Sequence, residues 1–248
     1  MMSIRAALRC IFAPQRREKL EYLDEPLVED ESIGIDELAR NMRQMRRLDE
    51  VTGGVSLLLR GVEEIWRGRP ALSVLDVGTG AAGVPLAIAK WAESRGVEAE
   101  IVGVDNSQKA LAVAARSAEG VPRIRLVAGD ARFLPFADNS FDVAVTTLTM
   151  HHLSPEDAVR LLRELRRVSR YGFVAVDLIR GQVLRILLWV LTRLSPGNRL
   201  THHDGPVSAL RAYSVEEAKQ LAREAGLDAR IERRLFRMTI VWRKESNE

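Results

Sequence analysis

Along the middle of the chain, short apolar runs alternate with stretches in which apolar residues recur every three or four positions. The runs fall at 74–77, 100–105, 124–129, 141–147 and 173–178, and each predicts a β-strand. Helical periodicity occupies 84–95, 107–119 and 155–169 between them. Strands that are apolar at nearly every position are buried on both faces, and crossover helices between them make the strands parallel. Two further strands, at 229–235 and 239–243, are joined by too few residues for a crossover and predict an antiparallel hairpin. The fold class that follows is α/β: a seven-stranded, mostly parallel sheet with a C-terminal antiparallel hairpin.

The two ends of this pattern carry additions. Residues 1–70 predict a helical N-terminal cap, with helices over 3–23, 36–51 and 55–67. An acidic linker covers 23–31, and Gly53-Gly54 separates the second helix from the third. Residues 71–248 form the main domain, interrupted by an insertion at about 180–212. Within it, 181–194 is a strongly apolar helix. Both sheet faces already have helices, which favours a lid over the strand ends; a core helix is the competing reading. A turn-rich loop is expected next, through Pro196, Gly197 and His202-His203-Asp204-Gly205-Pro206.

Composition narrows the class. Hydrophobic residues make up 46% of the 248, which excludes a disordered or low-complexity chain and supplies a sizeable core. No apolar stretch is long enough to span a bilayer, and 1–17 has no clean apolar block of the signal-peptide kind. A soluble, cytoplasmic protein is the expectation. The single cysteine, Cys10, excludes an internal disulfide and a multi-cysteine zinc site. Charge adds little: 37 basic against 34 acidic residues leave +3. The C-terminal basic excess sits at helical spacing (Arg160, Arg163, Arg166, Arg167, Arg170), as on a solvated face, with no aromatics interleaved for single-stranded nucleic acid. No nucleic-acid partner is expected. The short apolar run 186–191, flanked by Arg185 and Arg193, allows at most weak membrane-surface contact.

The chemistry-bearing stretch is Asp76-Val77-Gly78-Thr79-Gly80-Ala81-Ala82-Gly83, where the first strand turns into a helix. Gly78, Gly80 and Gly83 satisfy a dinucleotide-type glycine fingerprint, with backbone N–H groups exposed to a ligand. Asp76 changes the reading. A carboxylate two residues before the first glycine repels a pyrophosphate but favours a ligand carrying an ammonium and a sulfonium. Asp105 ends the next strand, where a carboxylate can take two ribose hydroxyls, and Asp130-Ala131 follows the third. This order of motifs resembles the class I S-adenosylmethionine (SAM)-dependent methyltransferases, over roughly 72–177. The resemblance implies a Rossmann-like fold with SAM as cofactor. Asp76, Gly78, Thr79 and Gly80 would lie against its methionine part, Asp105 on the ribose, and Asn106, Asp130 and Ala131 around the adenine. Thr147 would stand where the fourth strand passes the methionine portion. The sequence departs from the family pattern at Ala82, where a third glycine is common, and at Arg170-Tyr171-Gly172, a reduced turn before the fifth strand. The Tyr-x-x-x-Lys pair of short-chain dehydrogenases is absent, and Thr146-Thr147-Leu148-Thr149 is not the Pro-Pro signature of amino-group nucleic-acid methylases.

Methyl transfer from a sulfonium needs mainly positioning and exclusion of water, plus a base if the acceptor is a phenol. The four histidines form two doublets, His151-His152 and His202-His203. His152 follows the fourth strand at the ligand-facing edge, although capping the next helix would explain it equally. His203 beside Asp204 has the look of an oriented base, although an exposed polar turn has the same residues. The expectation is that His203, with Asp204 or His152, lies in the acceptor pocket. Adjacent histidine side chains are expected to diverge, so no metal site is expected. The apolar cap and insertion suit a small lipophilic acceptor. Arg40, Arg43, Arg46 and Arg47 either pair with an acidic substituent or form a solvated face. The family look is closest to quinone-biosynthesis and aromatic-polyketide-type O-methyltransferases. That implies O-methylation of a phenolic or quinol-like molecule. The alternatives are C-methylation of an activated ring, a non-catalytic SAM-binding protein, an NAD-dependent oxidoreductase and a nucleic-acid methyltransferase.

Overall fold

Every apolar run becomes a strand in the computed structural model, which describes residues 14–24, 27–194 and 198–244. In chain order the strands are β1 (Ala71–Val77), β2 (Glu98–Asp105), β3 (Ile124–Ala128), β4 (Phe141–Thr147), β5 (Ser169–Leu178), β6 (Arg230–Arg234) and β7 (Arg237–Arg243). They form one sheet in the order β3-β2-β1-β4-β5-β7-β6. The first five strands pair in parallel, and β7 runs antiparallel between β5 and β6. The order reverses between β1 and β4, and such a reversal opens a crevice at the carboxyl ends of the strands.

The helices are α1 (Ile35–Val51), α2 (Gly54–Trp66), α3 (Gly83–Glu93), α4 (Gln108–Ser117), α5 (Pro155–Val168), α6 (Gln182–Leu194), α7 (Arg199–Arg211) and α8 (Val215–Glu224). One sheet face, through Leu75, Val77, Phe173 and Ala175, packs on Leu161, Leu162 and Leu165 of α5 and Leu221 of α8. The opposite face, through Val74, Val143, Val174 and Val176, packs on Leu58, Val62 and Ile65 of α2 and Ile88 of α3. Burial on both sides is what the unbroken apolar runs require. Helix α2 rides close to β5, because a methyl group on Gly61 would come 2.8 Å from the side chain of Val174. A third apolar cluster joins Val28, Ile33 and Leu38 to Val113 of α4 and Leu200 of α7, setting α1 across the carboxyl edge of the sheet.

Four segments depart from the sequence expectation. Residues 14–23 of the expected first helix are not helical; residues 3–13 lie outside the described residues, as do Cys10, Pro196 and Gly197. Tertiary hydrogen bonds replace the helical ladder there: Arg17 N–H donates to Leu210 O at 3.1 Å, and Tyr22 N–H to Asp204 Oδ1 at 2.9 Å. The expected loop around 202–206 is instead the middle of α7, with Pro206 inside the helix. Burial of Leu200, Thr201, Asp204, Val207 and Ala209 outweighs the local turn preference of Gly205-Pro206. Helix α8 carries a Ser214–Glu217 capping box that the sequence reading passed over.

The fourth departure concerns the lid. Helix α6 packs on α7 through Leu184 and Leu188 against Leu178, Ala209 and Ala212, and it does not line the crevice. Its outer face leaves Val183, Ile186, Trp189 and Leu194 exposed, with the Arg193 guanidinium 4.3 Å from the Trp189 ring. Residues 20–24, Val28 and α1 form the roof instead, and Ser208 of the insertion reaches the crevice. Among the described residues no helix is long and apolar enough to cross a membrane.

Candidate functional site

The site begins where β1 ends. Gly78 (φ 75°), Gly80 (φ 52°) and Ala82 (φ 60°) all adopt left-handed backbone, so the chain reverses sharply before α3 starts at Gly83. Ala82 holds the position at which the related motif has a third glycine. Gly78 has a second constraint: a Cβ there would collide with the Thr149 side chain. The N–H groups of Gly78 and Thr79 donate to Val104 O at 2.9 and 3.0 Å, tying the turn to β2. Gly80 N–H donates to Asp105 Oδ2 at 2.9 Å, and Ser107 N–H donates to Asp105 Oδ1 at 3.0 Å. Burial raises the pKa of Asp105, although these N–H groups oppose the shift.

Asp76 lies just beneath this turn, 1% exposed, and neither of its carboxylate oxygens has a hydrogen-bond partner. Burial, assisted by the nearby charge of Asp105, pushes its pKa up to about 7. A buried carboxylate without donors is costly unless something supplies positive charge or N–H groups. Thr147 Oγ1 and Thr79 Oγ1 are likewise buried and unpartnered.

Above the turn lies a cleft of about 540 Å³, roofed by Leu20, Glu21, Leu23, Asp24 and Val28 and by Met42, Met45 and Arg46 of α1. Eight of the residues expected to bind the cofactor line it: Gly78, Thr79, Gly80, Asp105, Asn106, Asp130, Ala131 and Thr147. Asp76 is the ninth and lies below the lining. Asp130 is held by Arg132, whose Nη2 donates to Oδ2 at 2.6 Å, and this hydrogen bond lowers the Asp130 pKa. Of the four arginines at 40–47, Arg46 alone reaches the cleft.

The far end of the cleft is built by His151 and His152, in a 3-10 turn after β4. Their rings do not diverge as expected; the tight turn holds the centroids 4.2 Å apart. His151 Nδ1 is 2.7 Å from Asp177 Oδ1, and His152 Nδ1 is 2.6 Å from Asp24 Oδ1. Against the opposing effect of burial, His152 and the Glu21 N–H hold Asp24 down at about 2, and His151 lowers Asp177. Both acids are therefore carboxylates, which favours the Nδ1–H form of each facing imidazole and leaves its Nε2 for other partners. Arg211 pairs with Asp24 and donates from Nη2 to His152 O at 2.8 Å. Glu21 is 1% exposed, its Oε2 accepts from Ser208 Oγ at 2.6 Å, and burial raises its pKa to about 7.

The second histidine doublet is elsewhere. His203 Nδ1 is 2.8 Å from Asp204 Oδ1, but His202 and His203 line a separate outer groove with Arg17, Trp189 and Arg193. Asp204 is fully buried and holds the Tyr22 N–H. His203 is paired with Asp204 as expected, but it lines a different groove from His152, because 202–206 is helical. The sequence reading put the His151-His152 doublet at the ligand-facing edge but missed Glu21, Asp24 and Asp177. An acid inside the apolar run Phe173-Val174-Ala175-Val176-Asp177 was a visible signal for Asp177. Glu21 and Asp24 had none, since their positions depend on an irregular segment.

Comparison with known proteins decides what this scaffold is. Residues 74–172 match a family model described as a methyltransferase domain. This segment is similar to a methyltransferase domain. The chain is 35% identical over 108 residues to the uncharacterized methyltransferase YcgJ of Bacillus subtilis, covering 42% of this chain and 40% of that protein. The crystal structure of YcgJ matches with a TM-score of 0.50 at 27% identity, over 70% of each chain. A demethylmenaquinone methyltransferase of Staphylococcus carnosus is 33% identical over 127 residues, covering 48% of this chain and 51% of its own length. The chain thus spans about half the length, or less, of these curated relatives. A SAM-dependent methyltransferase from Aquifex aeolicus shares the fold, with a TM-score of 0.56 at 19% identity over 81% of this chain and 97% of that one. The matched segment ends within β5, so the roof and α6–α8 lie outside it.

Proposed function

We propose that the protein transfers a methyl group from SAM to the oxygen of a small lipophilic acceptor of phenolic or quinol-like type. The observation that carries this reading is a single cleft with a glycine turn at one end and an acid-paired histidine at the other. Asp76 tests the fit of the cofactor: an orphaned buried carboxylate under the turn suits a ligand bearing an ammonium and a sulfonium. Asp105, Asn106, Asp130 and Ala131 would hold its nucleoside end, and Gly78, Thr79, Gly80 and Thr147 its amino-acid end. When bound, SAM supplies an electrophilic methyl group with a neutral thioether as leaving group.

The chain's own residues do the rest. Met42, Met45, Leu20, Leu23 and Val28 line the roof with apolar surface, which excludes water and suits an aromatic ring. Asp24 fixes the His152 ring by its Nδ1, and His152 Nε2 takes the proton from the acceptor hydroxyl as its oxygen gains the methyl group. C-methylation of an activated ring would use the same cleft and the same base. The demethylmenaquinone methyltransferases, named for a quinone precursor, support a quinol-like acceptor. The test is methyl incorporation from labelled SAM into a panel of phenols and quinols, with His152→Ala and His203→Ala compared. Loss of turnover in the first variant alone is expected. Equal turnover in wild type and His152→Ala would remove His152 from the chemistry.

A further inference from the structure

The cluster at the acceptor end of the cleft has a property that a proton-accepting histidine does not require. Glu21, His151 and His152 each offer one ligand atom, and the three atoms lie within 4.8 Å of one another. His151 Nε2 stands 3.7 Å from Glu21 Oε1. That oxygen is buried and accepts no hydrogen bond, while its sister oxygen is satisfied by Ser208. Both imidazoles are braced through Nδ1 by carboxylates, Asp177 and Asp24. Metal-bound histidines have this support almost without exception, because the outer carboxylate fixes the tautomer and makes Nε2 a better donor.

We propose that Glu21, His151 and His152 form a binding site for a divalent first-row transition-metal ion at the acceptor end of the cleft. Two imidazoles and one carboxylate select zinc, cobalt, nickel or iron(II) over magnesium or calcium, which take oxygen ligands. Three protein ligands leave coordination positions open towards the cleft, as in sites that bind a substrate oxygen. Charge points the same way. Glu21, Asp24, Asp177 and Asp204 converge on the cluster. Two guanidiniums stand beside these four acids: Arg211, committed to Asp24 and the His152 carbonyl, and Arg16, committed to the carbonyls of His151, Leu153 and Arg211. Arg211 Nε is 3.9 Å from Glu21 Oε1 and makes no hydrogen bond to it. A hydroxyl bound to such an ion loses its proton more readily, so the ion would take over from His152 the task of activating a phenolic acceptor. The site itself rests on the geometry of the cluster; its link to the acceptor rests on the methyl-transfer reading.

The experiment uses the full chain, stripped with chelator and titrated with Co²⁺ and Zn²⁺ by calorimetry, with the Co²⁺ ligand-field spectrum as a second readout. One equivalent of each ion is expected to bind, with a low-coordinate Co²⁺ spectrum. Glu21→Gln and His152→Ala are each expected to weaken binding by at least about tenfold. His203→Ala, outside the cluster, is expected to leave metal affinity unchanged. SAM titration of every variant reports whether the fold and the cofactor end survive. Absence of saturable binding in wild type, or affinity that either cluster variant leaves unchanged, overturns the proposal. Failure of metal binding with intact SAM binding leaves His152 as proton acceptor, so the two readings fail separately.

Discussion

Gly78 and Asp76 carry the two sharpest residue-scale constraints. Gly78→Ala must place a methyl group at φ 75° and against Thr149. Strain of this kind costs about 1–3 kcal/mol, and relief by shifting the turn would move the N–H groups of Thr79 and Gly80. A lower denaturation midpoint together with weaker SAM binding is therefore expected, and unchanged SAM affinity in a destabilised variant would detach the turn from the cofactor. Asp76 sets a pH dependence. Its folded pKa near 7 exceeds the ordinary aspartate value of 3.8, so between these values the native state holds a proton that the unfolded chain has released. Stability from this group is complete below the unfolded value and is lost as pH rises from about 4 to about 7, by something of the order of 4 kcal/mol. Asp76→Asn removes that slope. Urea midpoints at pH 5 and pH 7.5 should lie closer together in the variant than in wild type; an equal gap would contradict the assignment.

Among the elements, α2 depends on Gly61. With 2.8 Å between a Cβ there and the methyls of Val174, Gly61→Leu must push the helix off β5. Overpacking of this sort costs roughly 1–3 kcal/mol, and a Tm fall of several degrees is the expected calorimetric result. A variant as stable as wild type would mean that α2 has slack against the sheet. The elements were also where sequence was most and least informative. The strands were legible because burial on both faces leaves an unbroken apolar run, and the glycine turn because left-handed backbone demands few residue types. Helix α7 was not legible. Gly205-Pro206 is a turn signal, and what makes it helical is burial of Leu200, Asp204 and Ala209 against parts of the chain far away in sequence. The lid was misplaced for a related reason, since apolar periodicity says that α6 has a partner but not which one.

For the molecule as a whole, the cleft is closed in part by a segment with no secondary structure of its own. Residues 14–24 are tied across α7 by Tyr22 N–H to Asp204, Arg17 N–H to Leu210 O, and Arg16 to the carbonyls of Arg211 and Leu153. Asp204 is thus a positioning residue for the roof, not a partner of His152. Asp204→Ala is expected to speed tryptic cleavage after Arg16, Arg17 and Lys19 and to raise the acceptor KM more than it lowers kcat. Unchanged proteolysis would show that the strap does not need this anchor. The glycine-turn end of the cleft follows from local motifs on one sheet edge, which is why eight residues singled out from the sequence line it. The histidine end is assembled from residues 21, 24, 151, 152 and 177, which only the three-dimensional path of residues 14–24 brings together.

The central claim is that the cleft beneath this roof is a SAM site. Calorimetric titration of SAM, its demethylated product and NADH into wild type and Asp105→Ala tests it most directly. The account predicts that SAM and its product bind wild type with one equivalent, that both are greatly weakened in Asp105→Ala, and that NADH does not bind. Binding of NADH without SAM would make the glycine turn a dinucleotide site and contradict the reading of Asp76.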